Sequence, residues 1–264
     1  MAMMPRILAI GGSDSGGGAG IEADIKTITM LGGYAMTAIT AITAQDTRGI
    51  SLIAPTPPAI VARSIRMAAA DIGLDAIKIG MIGTVEMLAA IIDTLRDIAV
   101  SVPIVLDPVL ASTSGTSLLD AAALDLLREG LLPLVALTTP NRHEAAILTG
   151  LSVDTEREIR AAGEALCARG AGAVLIKGGH FDGPEAIDRL VTPMRMIEFR
   201  MPRLAATHTH GTGCTLASAI AVGLGRGLTL DEAITQARAF LHAALLAAPG
   251  FGHGRGPLGH AAAR

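Results

Sequence analysis

Residues His208 to Cys214, HTHGTGC, combine two glycines, two histidines and a thiol at the point where an apolar helical pattern begins. Gly211 and Gly213 let successive backbone N–H groups converge. With Thr212 between them they make an anion site at a helix N-terminus, suited to a developing phosphate charge. Cys214, at the start of that helix, is expected to have a lowered pKa, fitting it to act as a general base or to hold an attacking hydroxyl. Two other readings compete. His208, His210 and Cys214 offer three ligands to a metal, although structural zinc sites usually need a fourth and paired cysteine spacing. Cys214 is also readable as a small buried hydrophobe, the role given to Cys167 in the helical run ALCARG.

Four more stretches carry chemistry-bearing residues. Asp107 ends a strand in VLDPV, and Asn141 and Glu144 stand in TPNRHEA. Their hard oxygens suit a magnesium–phosphate site, directly or through water. Taken alone, Asn141 and Glu144 are a helix cap with a glutamate at N3. Lys177, in IKGGH, is placed to hold a phosphate as a point charge or merely to flank a turn. The glycine loop GGSDSGGGAGIEAD has neither the G-x-G-x-x-G dinucleotide spacing nor the lysine of a Walker loop. Its glycines give a tight turn or a close backbone approach to a flat ligand. Asp24, one turn into the next helix, is read as a donor-binding carboxylate or a solvated one. An anion hole, hard acids and a lysine together suit phosphoryl transfer from a nucleotide.

Short apolar strands alternating with helical patterns position these residues. Near-continuous apolar strands imply a mostly parallel sheet with helices on both faces, an α/β fold of three layers. AMTAITAITAQD reads as one β-branched strand, and AIDRLVTP and RMIEFRMPRL as two antiparallel strands over 185–203. Helices are expected over 212–226 and 230–247, with the tail HGRGPLGHAAAR loose, and the whole of 1–264 as one domain. Ligands in open α/β sheets sit beyond the strand carboxyl ends. That rule selects Ser13–Gly20, Gln45–Asp46, Gly80–Met81, Asp107–Val109, Thr139–Glu144, Lys177–His180 and His208–Cys214.

Composition narrows the classes. Net charge is −3 and aromatics are 2% of 264 residues, with no basic stripe, which disfavours nucleic-acid binding. Two cysteines make no disulfide framework. Mean hydropathy is high, +0.51, but the uncharged run Thr27 to Gln45 is interrupted by LGGY and threonines, so no membrane span is expected. No secretory signal is legible at the start, and a cytoplasmic protein is expected.

The motifs ILAIGGSDSGGGAGIEADIKT, TAITAQDT, KIGMIG, LDPV, TPNRHEA, VLIKGGH, THGTGCTLASAIA and GHGRGP recur in order over nearly the whole chain. By them the sequence resembles the hydroxymethylpyrimidine/phosphomethylpyrimidine kinases of thiamine biosynthesis, in the ribokinase-like superfamily. The resemblance implies ATP- and magnesium-dependent phosphorylation of a pyrimidine hydroxymethyl group, then of the monophosphate, by a homodimer. It places Asp24, Gln45, Gly12, Met81 and Val109 at the pyrimidine. Asp107, Asn141 and Glu144 manage magnesium and phosphate, and Lys177 holds ATP phosphate. Gly211, Thr212 and Gly213 form the anion hole, and Cys214 is catalytic where most of the superfamily has aspartate. Glu22, Asp46 and His208 depart from the family pattern. A pyridoxal kinase of the same superfamily is the nearest rival; a non-catalytic metal-binding or regulatory protein is the rival of another class.

Overall fold

The computed structural model describes residues 4–99, 101–111, 118–120, 122–180 and 183–263. Strands β1 (Arg6–Gly11), β2 (Tyr34–Ile39), β5 (Ala76–Ile79), β6 (Ile104–Leu106), β7 (Leu137–Thr138), β8 (Val174–Ile176), β9 (Glu185–Val191) and β10 (Met196–Pro202) form one sheet. Its order is β10-β9-β8-β7-β6-β5-β1-β2. Pairs from β2 to β8 are parallel, while β9 and β10 are antiparallel, as their polar alternation implies. From β1 the chain runs to β2 on one side and returns to β5 on the other, so the strand order reverses at β1. Loops leaving such a switch point are where an α/β sheet binds ligands.

Alternation along β1 explains the layers. Leu8 and Ile10 face one core with α2 (Pro58–Met67), α3 (Val85–Asp97), α5 (Arg142–Thr149) and α6 (Glu156–Ala168). Ile7 and Ala9 face the other, with α1 (Gly20–Met30), α7 (Thr212–Gly225) and α8 (Leu230–Leu246). A short α4 (Ala123–Leu126) continues into a wider, π-type turn over Leu127–Leu131. The helix starts were written locally: Thr84 caps α3, and Thr155 with Glu158 and Thr229 with Glu232 form capping boxes.

Two expectations change. The stretch 35–46 is two strands. Thr40 leaves the sheet, its hydroxyl donating to Met81 O at 2.7 Å. Ala41–Gln45 (β3) then pairs antiparallel with Ile50–Pro55 (β4) as a separate hairpin. The β-branched pattern is the same on both sides of Thr40, so only tertiary contacts mark the break. The tail is packed through Ala263: Leu258, His260 and Ala263 are buried, and His260 Nε2 lies 2.8 Å from Thr215 Oγ1 on α7. Two apolar residues and one satisfied imidazole anchor what composition alone reads as loose; Arg264 lies outside the described residues. Among the described residues, no helix is long and apolar enough to cross a membrane.

Candidate active site

The loop before α7 turns through Gly211, whose φ of 84° is left-handed and favours glycine. The helix opens at Thr212, so Cys214 stands in its first turn. Gly213 faces the acidic and basic groups of the neighbouring strand ends. A Cβ there would stand 2.9 Å from Asp107 Oδ2 and 3.3 Å from Lys177 Nζ. Asp107 follows β6 and is buried; its Oδ1 accepts from Lys177 Nζ at 2.7 Å and from Thr139 Oγ1 at 3.1 Å. Lys177, just after β8, also lies 3.7 Å from Glu144 Oε2. Burial works against its ammonium, but Asp107 and Glu144 outweigh that and raise its pKa. Asp188 steadies the loop, accepting from Gly178 N at 2.6 Å while paired with Arg238 of α8.

Asn141 and Glu144 are the capping box of α5: Asn141 Oδ1 accepts from Glu144 N at 2.9 Å, and Glu144 Oε2 from Asn141 N at 2.7 Å. The structural reading of this pair therefore holds, and the same glutamate also reaches Lys177. Burial pushes the Glu144 carboxyl up to about 6, with Lys177 pulling against it. Asp107 and Glu144 thus flank one ammonium. Among the described residues, no group of three or more His, Cys, Asp or Glu side chains could hold a metal. Magnesium fits this arrangement all the same, because it usually keeps several waters and takes one or two carboxylates plus substrate phosphate.

Cys214 departs from expectation. Burial pushes its thiol up to about 11; Lys78 opposes this, and the carboxylates of Asp24 and Asp107 reinforce it. Desolvation and negative neighbours dominate, so the free site holds a neutral thiol at neutral pH. Lys78 was not legible as a site residue. Its only signal was a lysine inside the apolar run AIKIG. Its ammonium is buried and lies 2.8 Å from both oxygens of Asp24. Burial opposes that charge, but Asp24, Cys214 and Asp107 outweigh it and raise the pKa. Asp24 also accepts from Ser218 Oγ at 2.8 Å and has no exposed surface. Its carboxylate is committed to protein donors, neither solvated nor presented open to a ligand.

The remaining residues line the loops after β1, β5 and β6 and the end of β3. A Cβ on Gly12 would stand 2.7 Å from Met81 Sδ, so these two share one wall. Val109, half-buried, follows Asp107, its N–H donating to Asp107 O at 2.8 Å. The Gln45 amide nitrogen lies 3.1 Å from His210 Nε2, and its oxygen 3.4 Å from Thr43 Oγ1. His210 Nε2 also lies 2.8 Å from Asp14 Oδ2. Asp14, missed in the sequence, organises the glycine loop: its carboxylate accepts from the N–H groups of Gly16, Gly18 and Ala19. Burial would raise its carboxyl, but the bonds from His210 and the loop bring it below the ordinary value. Glu22 Oε2 accepts from Asp14 N at 2.7 Å, and Asp46 closes the β3–β4 turn with Arg48 and Gly49. His208 Nδ1 accepts from Gly256 N at 3.0 Å. The two histidines thus serve loop contacts, apart from the thiol.

A solved Bacillus subtilis pyridoxal kinase in complex with ADP superposes with a TM-score of 0.89 at 32% identity, covering 98% of each chain. Sheet order, helical layers and a phosphate-suited loop at the strand ends together define a ribokinase-like small-molecule kinase. The model of the phosphomethylpyrimidine kinase family matches residues 14–259. A Rhizobium meliloti hydroxymethylpyrimidine/phosphomethylpyrimidine kinase is 45% identical over 256 residues, 96% of each chain. A thiamine biosynthesis bifunctional protein of Geobacter sulfurreducens is 43% identical over 261 residues; the match takes 98% of this chain and 53% of that longer one, so the chain spans about half its length. The chain belongs to the phosphomethylpyrimidine kinase family and is a phosphotransferase.

Proposed function

We propose that this kinase transfers the γ-phosphoryl group of ATP to the hydroxymethyl group of 4-amino-5-hydroxymethyl-2-methylpyrimidine, and then phosphorylates the monophosphate. The observation that carries this reading is the meeting of Gly213, Asp107 and Lys177 at the sheet edge, beside Cys214. Lys177 holds phosphate charge, and the N–H groups of Gly211 and Gly213 receive the transferring group; that of Thr212, expected to join them, donates instead to Thr209 O at 3.4 Å. Such fixed donors stabilise developing charge without reorganising. Magnesium, when bound, neutralises phosphate charge, and Asp107 and Glu144 would hold it through water. Gly12, Met81, Val109 and Gln45 shape the pyrimidine pocket. Asp24 supports it from behind through Lys78 and Ser218.

The neutral thiol of Cys214 orients the attacking hydroxyl. Phosphoryl transfer through a loose transition state is governed by positioning and charge stabilisation, so no resident thiolate is required. The hydroxyl proton leaves late, to the transferred phosphate. Likeness to a pyridoxal kinase supports a second substrate, another flat heterocycle with a hydroxymethyl group. The exposed apolar face of the β3–β4 hairpin, Ile42, Ala44, Leu52 and Ala54, supports a homodimer, to be read by sedimentation.

The test is ADP release with magnesium-ATP and, in parallel, the pyrimidine, its monophosphate and pyridoxal. Turnover on both pyrimidines, with pyridoxal much slower, is expected. Turnover on pyridoxal alone overturns the substrate assignment.

A further inference from the structure

His210 ties four parts of the chain together. Its side chain contacts Asp14 of the glycine loop and Gln45 at the end of β3. Its backbone N–H donates to Gly256 O in the tail at 3.2 Å, and the next residue is Gly211 of the anion loop. The ring packs so closely over Gly18 that a Cβ there would stand 2.6 Å from Cδ2.

The hydrogen-bond roles can be assigned. Asp14 is an ionised acceptor with three backbone donors, so the His210 nitrogen facing it at 2.8 Å carries a proton and donates. That nitrogen has no lone pair left to accept from the Gln45 amide nitrogen 3.1 Å away. A half-turn of the amide exchanges its two ends and removes the conflict: the oxygen then shares the ring N–H with Asp14, as the longer arm of a three-centre bond. The amide NH2 faces Thr43 Oγ1, which is free to accept because it already donates to Ser13 O at 2.8 Å. Network partners are what distinguish the two ends of an amide.

We propose that His210, held by Asp14, is the positioning residue that fixes which end of the Gln45 amide faces the substrate, and thereby sets the choice of heterocycle. An aminopyrimidine edge presents a donor beside an acceptor, whereas a pyridoxal edge presents a different order. A freely turning amide serves both; a locked one favours one. The inference rests on the pyrimidine-kinase reading and on Gln45 lying at the ring.

The test is a double-mutant cycle, with calorimetric Kd for the aminopyrimidine on wild type, His210→Phe, Gln45→Ala and the double variant. Each single change weakens binding about tenfold, and the double variant binds no worse than Gln45→Ala, because His210 acts only through the amide. The preference for aminopyrimidine over pyridoxal falls by a similar factor in His210→Phe. His210→Gln, which returns an N–H near the lost position, binds within about threefold of wild type. Independent losses that multiply in the double variant, or an unchanged Kd in His210→Phe, overturn the proposal. If His210→Phe does not fold, His210→Leu takes its place in the same cycle: a loss of affinity and preference that vanishes in the Gln45→Ala background supports the proposal, and an unchanged Kd or an independent loss overturns it. Turnover by wild type tests the kinase reading separately. An unchanged Kd in Gln45→Ala, with turnover intact, overturns this proposal and leaves that reading standing. No aminopyrimidine binding by wild type retires both.

Discussion

Replacing Lys78 by methionine removes an ammonium and little volume from beneath the site. The side chains of Lys78 and Asp24 are 1% and 0% exposed, so solvent does not screen them. Asp24 would be left with Ser218 Oγ at 2.8 Å. Breaking a buried pair by removing one partner costs about 3–5 kcal/mol, against a total stability of roughly 5–15 kcal/mol. Asp24 can relieve part of this by taking a proton. Burial already pushes its carboxyl up from 3.8, and Lys78 is the main group opposing the rise. Without Lys78 the folded-state value climbs further. A carboxyl raised in the folded state holds its proton there while the unfolded chain has lost it. The variant's stability relative to the parent therefore falls as pH rises above the unfolded value. The slope is at most about 1.4 kcal/mol per pH unit and is read between roughly pH 5.5 and 7. Urea unfolding of the parent, Lys78→Met and Lys78→Met/Asp24→Asn at both pH values measures it. The double variant, with no orphaned charge, should recover part of the loss and lose the extra pH dependence. A single-variant cost under about 1 kcal/mol at pH 7 that does not change with pH would refute the reasoning.

In a Cys167→Ala background, alkylation of Cys214 by iodoacetamide should climb about tenfold per pH unit from roughly pH 7 to 9.5, because the thiolate is the nucleophile and burial has pushed this thiol up to about 11. A plateau near about pH 8.5, the free-thiol range, contradicts the buried environment. Gly213→Ala puts a methyl 2.9 Å from Asp107 Oδ2 and pushes the loop's N–H donors out of place; turnover should fall about 10²-fold, the scale of a 1 Å misplacement, and near-normal rates would remove this loop from the reaction. Glu144, raised from 4.5 to about 6, makes the fold about 2 kcal/mol less stable at about pH 7 than at about pH 4. Glu144→Gln should flatten that part of the pH–stability curve, and an unchanged curve assigns the slope to other groups.

Much of the positioning was legible because it is local. Period-two alternation in β1 already separates Leu8 and Ile10 from Ile7 and Ala9, and with it the two cores. The capping box of Asn141 and Glu144 spans three residues and is readable as written. Gly211 marks the anion loop because its left-handed turn favours glycine, and Gly213 because a side chain there would meet Asp107 and Lys177. Lys78, Asp14 and the end of β2 were not legible, because each is decided by a partner far along the chain. Thr40 is bonded to Met81, Lys78 to Asp24, and His210 to Asp14 across 196 positions.

The protonation of Cys214 shows the division most clearly. Residue type and helix position belong to the sequence, and by themselves they favour a thiolate. Whether that tendency wins depends on how much water the fold removes and which charges it brings near. Here burial, Asp24 and Asp107 outweigh Lys78 and the backbone hydrogen bond from Gly20. The sequence by itself determined the α/β layers, the anion loop and which residue types stand at the strand ends. Only the tertiary structure decided the charge state of those residues and which of them hold one another rather than a ligand. Coulomb energy and desolvation depend on distance in space and on burial, and neither follows from separation along the chain.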